Sequence, residues 1–330
     1  MKTTLRKPTI SDAVLLVALA AIWGASFMFI KIAVEEIPPL TIAAARITLA
    51  ASLLAALSKI RGLRFPTDWA TWQLFFAIGL IGNVLPFFLI AWGETSIDSG
   101  IAALLMAGVP LSTLLLAQLM THDEKFTAAK AVGVGLGFVG IVILVGPDVL
   151  ARIGGSLEDS LEGSLEGSLG GGLPNGQQID PLLGQGAVLL GAICYATAGL
   201  MTRKTHGISP DLASAGVMIC AAVQIIPASL VFDKPWALSP GPLAIASIAA
   251  LGILATALAS VILFHLINRT GAIFVSLNNY MVPVFGIFWG AAILGETVGW
   301  QAIVALALIL IGIDLGQGRV LLRLPPYSRK

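Results

Sequence analysis

Residues 13–34 read AVLLVALAAIWGASFMFIKIAV, an apolar run that contains a single charged side chain, Lys31. A helix needs about 20 mainly apolar residues to cross the hydrocarbon core of a bilayer. The whole chain has the same character, since 57% of its 330 residues are hydrophobic and 11% are charged. In soluble domains, charged residues make up roughly a quarter of the chain. The sequence therefore predicts an integral membrane protein.

Runs of this kind recur along the whole chain. Ten predicted spans lie near residues 13–34, 39–58, 70–93, 98–120, 127–146, 182–203, 211–232, 242–267, 271–294 and 298–318. Strands of an outer-membrane barrel are about 10 residues long and alternate strictly between apolar and polar. Because these runs are longer and do not alternate, we expect an all-α membrane protein with ten transmembrane helices.

The distribution of basic residues predicts the orientation, because cytoplasmic loops collect Lys and Arg. With the N-terminus inside, the cytoplasmic residues are Lys2, Arg6, Lys7, Lys59, Arg61, Arg64, Lys125, Lys130, Arg203, Lys204, Arg269, Arg319, Arg323, Arg329 and Lys330. The outer face then holds only Lys31, Arg152 and Lys234. We therefore predict a multi-pass protein of the cytoplasmic (inner) membrane with both termini in the cytoplasm.

A polar stretch, GGSLEDSLEGSLEGSLGGGLPNGQQID at residues 154–180, separates the first five spans from the last five. Its glycines and acidic residues argue against a stable helix and against attraction to anionic lipid. We predict a disordered, low-complexity linker over residues 147–181 on the outer side of the membrane.

The two halves of the chain repeat each other. Val109-Pro110 corresponds to Val282-Pro283, and Glu124 to Glu296, at a shift of about 172 residues. Because five spans is an odd number, the second half crosses the membrane in the opposite sense to the first. Inverted repeats of this kind are typical of secondary carriers. The predicted units are residues 1–146, the linker, residues 182–318 and a basic cytoplasmic tail, 319–330.

Several motifs then point to a known family. They are IWGASFMFIK (22–31), RIT (46–48), MAGVPLSTLLLAQLMTHDE (106–124) and NNYMVPVFGIFWGAAILGE (278–296). Together they resemble the EamA-type carriers of the drug/metabolite transporter superfamily. The resemblance implies two inverted five-helix repeats around a central cavity, with export of amino acids or other small metabolites as the commonest activity. The chain departs from the pattern in its long linker and in Cys194-Tyr195, which stand where the first repeat has Trp23-Gly24.

Arg46 is the only basic residue in the interior of a predicted span, about 10 Å from its outer edge at 1.5 Å per residue. A charge in such a place usually faces a cavity or a partner. In one interpretation Arg46 binds a substrate carboxylate. In the other, which the sequence alone favours, it extends towards the membrane surface or pairs with an acidic residue near the outer helix ends, namely Glu35, Glu36 or Glu94.

Other candidate substrate-binding residues are neutral polar or aromatic groups within the spans. They are Trp23, Ser26, Asn83, Tyr195, Asn278, Asn279 and Tyr280. Three prolines, Pro86, Pro110 and Pro283, are predicted to break their helices and free backbone carbonyls. Such irregular backbone is tolerated at membrane depth where it lines a cavity. Trp92, Phe88 and Trp289 are candidate apolar walls, and Gly133, Gly137, Gly312 and Gly316 are candidate sites of close helix packing.

The sequence contains no pattern of a catalytic dyad, a metal-ligand cluster or a phosphate-binding loop, so we expect no enzyme activity, no cofactor and no metal. No carboxylate lies near the middle of a span, which favours a facilitative carrier over a proton antiporter. We expect a small-molecule substrate and the lipid bilayer as partners, no nucleic acid, and a monomer or homodimer. The alternatives are a channel or scaffold, or an efflux carrier for drugs or cationic compounds.

Overall fold

The computed structural model describes residues 8–120, 127–154, 180–205 and 207–316, and within these residues the chain is helical and contains no strand. Most of the predicted linker and the basic tail at 319–330 lie outside the described residues, as does Glu124. The apolar character of the sequence leaves the backbone few alternatives. In lipid every N–H and C=O group must find a partner inside the protein, which a helix provides within its own segment.

Ten apolar helical segments account for most of the described residues. They are α1 (Ile10–Val34), α2 (Pro39–Ile60), α3 (Trp69–Gly93), α4 (Ser99–Met106 and Val109–Met120), α5 (Ala128–Gly154), α6 (Pro181–Thr202), α7 (Pro210–Phe232), α8 (Pro242–Thr270), α9 (Asn278–Leu294) and α10 (Trp300–Gly316). Eight of them, α1 to α8, are long and apolar enough to cross a membrane. The last two have 17 residues each, or about 25 Å at 1.5 Å per residue.

The packing of these helices follows a matched pattern in the two halves. Helix α5 packs along α10, α2 along α7, α1 against α8 and α9, and α6 against α3 and α4. Glycines allow the closest of these contacts. A Cβ added to Gly133 in α5 would lie 2.5 Å from the carbonyl oxygen of Gly312 in α10. The glycines predicted to permit close packing therefore do so within one chain.

The helices α3 and α8 each contain a wider, π-helical turn. These turns span Leu80–Val84 in α3 and Ile253–Leu258 in α8, at positions that correspond between the two halves. Such turns are rare and occur often at functional sites. Both contribute residues to the cavity described below, among them Asn83 and Thr256.

The prolines affect the backbone less than the sequence predicts. Helix α4 is interrupted at Ala107–Gly108, directly before Pro110. By contrast, α3 continues through Pro86 and α9 through Pro283, so the helix break predicted at these two positions was wrong. A proline removes one hydrogen bond, and the π-turn before Pro86 absorbs the change without ending the helix.

The boundary of the predicted linker also changes. Helix α5 continues through Pro147 and ends at Gly154, inside the segment predicted as linker. The residues 148–154 therefore extend the fifth helix. The remainder of the linker up to residue 179 lies outside the described residues.

Candidate functional site

A cavity of about 560 Å³ lies at the centre of the bundle. Its walls come from α1, α2, α3, α4, α6, α7, α8 and α9. Most small-molecule sites have volumes between about 300 and 1,000 Å³ and are largely apolar with a few polar groups. The cavity is of this kind, with aliphatic and aromatic walls and a small set of polar side chains.

Most of the residues proposed from the sequence meet in this cavity. It is lined by Trp23, Ser26, Arg46, Asn83, Pro110, Tyr195, Asn278, Asn279 and Pro283. Five different helices supply the polar and aromatic members of this set, although they are far apart in sequence. Pro86 and Tyr280 do not line it.

Arg46 is the cation of the cavity. It is 6% exposed, and its Nε donates a hydrogen bond to the Thr256 hydroxyl at 2.8 Å. Its guanidinium carbon lies 3.8 Å from the centre of the Phe87 ring. Thr256, in the π-turn of α8, donates its own hydroxyl proton to the Leu251 carbonyl at 2.8 Å. The hydroxyl is thereby oriented to accept from Arg46, and the guanidinium is held on two sides.

The alternative positions for Arg46 are not observed. A buried side chain does not extend to the membrane surface. Within the described residues, no carboxylate lies within salt-bridge distance of Arg46. The Glu36 carboxylate instead accepts a hydrogen bond from the backbone of Gly241. The two terminal nitrogens of Arg46 make no hydrogen bond to the described residues, so they remain available to a ligand.

Neutral polar groups of the cavity differ in their remaining hydrogen-bonding capacity. Trp23 donates to the Ala255 carbonyl at 3.1 Å, and Ser26 to the Trp23 carbonyl at 2.6 Å. In contrast, the side chains of Asn83 and Asn279 make no hydrogen bond to the part of the chain that the structure describes, and Asn278 Oδ1 is buried without a partner. The three amides therefore keep donors and acceptors that a bound molecule can use.

Tyr280 lies on the opposite side of α9 from the cavity. It is 7% exposed and packs with Ile309 and Ile313 of α10. Each helical residue is rotated by about 100° from the one before it, so Tyr280 turns away from the face that carries Asn279 and Pro283. The sequence suggests one patch of Asn278, Asn279 and Tyr280, whereas the helix places the two asparagines in the cavity and Tyr280 against α10.

The aromatic walls also differ from those inferred from the sequence. Phe87, not Phe88, lies under Arg46, and its ring contacts that of Tyr195 with 6.2 Å between centroids. Trp92 and Trp289 do not line the cavity, and Trp289 donates to the Ala21 carbonyl at 3.2 Å. The spacing from Asn83 identifies the correct residue, since side chains four residues apart share a helix face.

One end of the cavity is closed by apolar side chains and then by a polar layer. Ile30 and Ile90 line the last part of the cavity at this end. Beyond them, Lys31 Nζ donates to the carbonyls of Glu94 and Ile97 at 2.9 and 2.8 Å. The Glu296 carboxylate accepts from the backbone N–H groups of Ser99 and Gly100 at the start of α4, at 2.7 and 2.9 Å. We call this region the polar closure.

The polar closure joins the two halves of the chain. Glu296 comes from the second half and binds the N-terminus of a helix in the first, where a negative charge is favoured by the helix dipole.

Among the described residues, no group of three or more His, Cys, Asp or Glu side chains is arranged to bind a metal ion.

Comparison with known proteins agrees with this architecture. The sequence model of the EamA-like transporter family matches residues 11–146 and again residues 182–315. The uncharacterized inner membrane transporter YedA of Escherichia coli K12 is 25% identical over 306 residues, which cover 92% of this chain and 90% of YedA. A probable amino-acid metabolite efflux pump of the same organism is 24% identical over 313 residues, covering 92% and 93% of the two chains.

A solved structure has a similar fold. It is a crystal structure of a protein that is 17% identical, with a TM-score of 0.61, and the match covers 93% of this chain and 98% of the other. An uncharacterized transporter of Archaeoglobus fulgidus is 23% identical over 291 residues, 88% of this chain and 93% of its own. The family match extends over most of the chain and confirms the resemblance noted in the sequence: the chain belongs to the EamA-like transporter family of membrane proteins.

Proposed function

We propose that the protein is a secondary carrier that exports amino acids or similar small carboxylate-bearing metabolites by alternating access. The observation that carries the proposal is Arg46, a buried cation in a largely apolar cavity with no carboxylate of the described chain beside it. A cation left in such a place without a partner is costly. A substrate carboxylate is the natural partner, and the probable amino-acid metabolite efflux pump among the relatives is consistent with it.

The geometry of Arg46 favours a carboxylate over other anions or dipoles. Thr256 occupies Nε, while the two terminal nitrogens are left to bind a ligand. A guanidinium can donate two parallel hydrogen bonds to the two oxygens of a carboxylate. The amides of Asn83, Asn278 and Asn279 line the same cavity and offer oxygens to an amino group. An amino acid with an apolar side chain fits this combination of groups.

The membrane arrangement is part of the same proposal. We infer ten transmembrane helices in two inverted five-helix repeats, with both termini in the cytoplasm and the linker outside. Two observations support it: the family model matches each half separately, and the halves have corresponding helix contacts and π-turns. In this orientation the polar closure lies at the outer end. The cavity then lies around the membrane midplane, on the cytoplasmic side of the polar closure.

Transport in proteoliposomes tests the proposal. The substrates are an apolar amino acid and the amine that differs from it only by loss of the carboxylate. The wild-type protein is expected to exchange the amino acid and not the amine. In Arg46→Lys the affinity for the amino acid should fall by roughly one to two powers of ten, because lysine cannot reproduce the two parallel bonds, which contribute about 1.5–3 kcal/mol.

The matched control is Arg64→Gln, since Arg64 is exposed in the loop between α2 and α3. Arg46→Gln should abolish exchange of the amino acid, whereas Arg64→Gln should leave it unchanged. Preference for the amine in the wild-type protein would identify an efflux carrier for cationic compounds. If the wild-type protein exchanges both substrates, equal losses of the two in the Arg46 variants would show that Arg46 stabilises the bundle.

A further inference from the structure

Glu94 lies one helical turn beyond the closed end of the cavity. In α3 the residues that line the cavity are Asn83, Phe87 and Ile90, which share one face of the helix. Glu94 follows at the next position of this face, four residues after Ile90 and just past the end of the span at Gly93. If the cavity opened past Ile90, the next side chain of α3 to meet water would therefore be Glu94.

The carboxyl group of Glu94 is buried and unpartnered. The residue is 0% exposed, and neither carboxyl oxygen has a hydrogen-bond partner. Lys31 is close by, but its ammonium donates to the backbone carbonyls of Glu94 and Ile97. An ionised carboxylate without donors is expensive in such a place, whereas the neutral acid is tolerated.

Charged groups from several elements act on this site. Lys31 of α1 and Arg46 of α2 favour the ionised form of Glu94, and Glu296, after α9, opposes it. From α6, Gly184 packs against Gly93 without a charge. Burial has the largest effect and raises the pKa of Glu94 well above its usual range.

A second acid at the same end, Asp98, also has a raised pKa, but by less than Glu94. Asp98 is half-buried, and burial together with Glu296 raises its pKa. Glu296 itself accepts two backbone hydrogen bonds, from Ser99 and Gly100. Glu94 is thus the acid of the polar closure whose oxygens have neither solvent nor donors.

We propose that Glu94 is a proton-binding site that keeps the polar closure shut while it is protonated, so that loss of the proton favours opening of this end. The inference rests on the proposed function, because it requires the two ends of the cavity to open in turn. In the closed form the neutral acid is buried. In the open form water solvates the carboxylate, and the proton leaves to the solution on that side.

The direction of the pH dependence follows from the two forms of the site. The pKa of Glu94 is higher in the closed form than in the open, solvated form. Protonation therefore stabilises closure fully at pH values below the pKa of the solvated acid. The stabilisation is lost as the pH rises towards the pKa of the closed form. Between the two values, the ratio of open to closed protein rises by up to about tenfold for each pH unit.

A cysteine at Ser99 reports opening without any substrate. Ser99 is 0% exposed and lies at the start of α4, one turn from the cavity-lining Ala103. The full-length protein carries Ser99→Cys together with Cys194→Ala and Cys220→Ala, which remove the native thiols. Its labelling rate with a maleimide is measured in detergent from pH 5 to 8. The rate is divided by that of Ser239→Cys, an exposed loop position that corrects for thiol ionisation.

The corrected rate should rise with pH by up to about tenfold per unit in the protein with Glu94. In Glu94→Gln it should be low and lose most of its rise with pH, because the amide stays neutral and only the weaker effect of Asp98 remains. The carboxylate controls Glu35→Gln, at an exposed position near this end, and Asp98→Asn should keep the rise with pH.

Each contrary result overturns the proposal. These results are a flat profile with Glu94 present, a rise of unchanged size in Glu94→Gln, or a rise abolished by Glu35→Gln or Asp98→Asn. Glutamine has the shape of the protonated acid, so failure of Glu94→Gln to fold would also contradict a neutral Glu94 in the closed form. A rise that depends on Glu94 in a protein that transports no amino acid would refute only the proposed substrate.

Discussion

Replacing Thr256 with valine tests whether the orientation of Arg46 determines substrate affinity. Valine keeps nearly the shape of threonine but removes the hydroxyl that accepts the hydrogen bond from Arg46 Nε at 2.8 Å. A hydrogen bond to a charged group contributes about 1.5–3 kcal/mol. The guanidinium keeps its contact with Phe87, so only part of this energy is lost to the substrate. We expect the apparent affinity for the amino acid to fall roughly tenfold, which corresponds to about 1.4 kcal/mol.

The assay is exchange of the amino acid in proteoliposomes, at equal amounts of inserted protein. Thr256→Ser is the matched control, because serine keeps the hydroxyl and should retain most of the affinity. Phe87→Leu removes the ring beneath the cation, a contact worth about 0.5–2 kcal/mol. Since both side chains act on the same guanidinium, the double variant should lose less than the two single losses added together.

Two results would refute this reasoning. Unchanged affinity in Thr256→Val would mean that the hydrogen bond does not orient Arg46 for binding. An equal loss in Thr256→Ser and Thr256→Val would mean that the methyl group or the helix itself matters, since serine keeps the hydroxyl. The turnover rate at saturating substrate should change little in either variant if the hydroxyl acts only through binding.

Two further predictions concern the packing and the topology. Gly133→Ala should lower the melting temperature of the detergent-solubilised protein, because the new Cβ would lie 2.5 Å from the Gly312 carbonyl oxygen and overpacking costs about 1–3 kcal/mol. The control Gly135→Ala should leave the melting temperature unchanged, because no atom lies within 4 Å of its new Cβ. Equal effects of the two substitutions would contradict the close α5–α10 contact. A single cysteine at Ser164 should react with a membrane-impermeant reagent added outside the cell. A single cysteine at Arg64 should react with the same reagent only from the inside. Labelling of both positions from one side would exclude the inverted repeat.

The membrane character and the helical class follow from composition, because a long apolar run in lipid satisfies its backbone hydrogen bonds within its own segment only as a helix. The candidate site was harder to predict. Asn83 and Asn279 are predicted as site residues because polar groups within spans need partners, and both line the cavity. The bond between Arg46 and Thr256 joins residues 210 positions apart, and no local pattern encodes it. The π-turn that carries Thr256 also shifts the helix face, which regular spacing cannot anticipate.

Local spacing nevertheless carries information on the helix faces of α3 and α9. A separation of four residues puts Phe87 on the face of Asn83 even though Asn83 lies in the π-turn of α3. In α9, the rotation of about 100° per residue turns Tyr280 away from the face of Asn279. Proline alone does not predict the end of a helix in this chain, since α3 and α9 continue through Pro86 and Pro283. At Pro86 and Pro283 the neighbouring helices determine whether the helix continues, because they supply the contacts that hold a proline-containing helix together.

The cavity combines a repeated frame with a charge that occurs once. At the shift of about 172 residues, the position of Arg46 in the first half corresponds to Met218 in the second, and both side chains line the cavity. In the proposed function, the repeated frame provides the two ends that open in turn. The single cation gives the cavity a polarity that the repeat lacks, so the proposed carboxylate substrate would have one place to bind and one orientation. In the proposed gating, opening at the polar closure would bring water towards Arg46 past Glu94, the acid next along α3. Binding of the substrate carboxylate and ionisation of Glu94 would therefore both depend on the same cation, which links substrate affinity to pH.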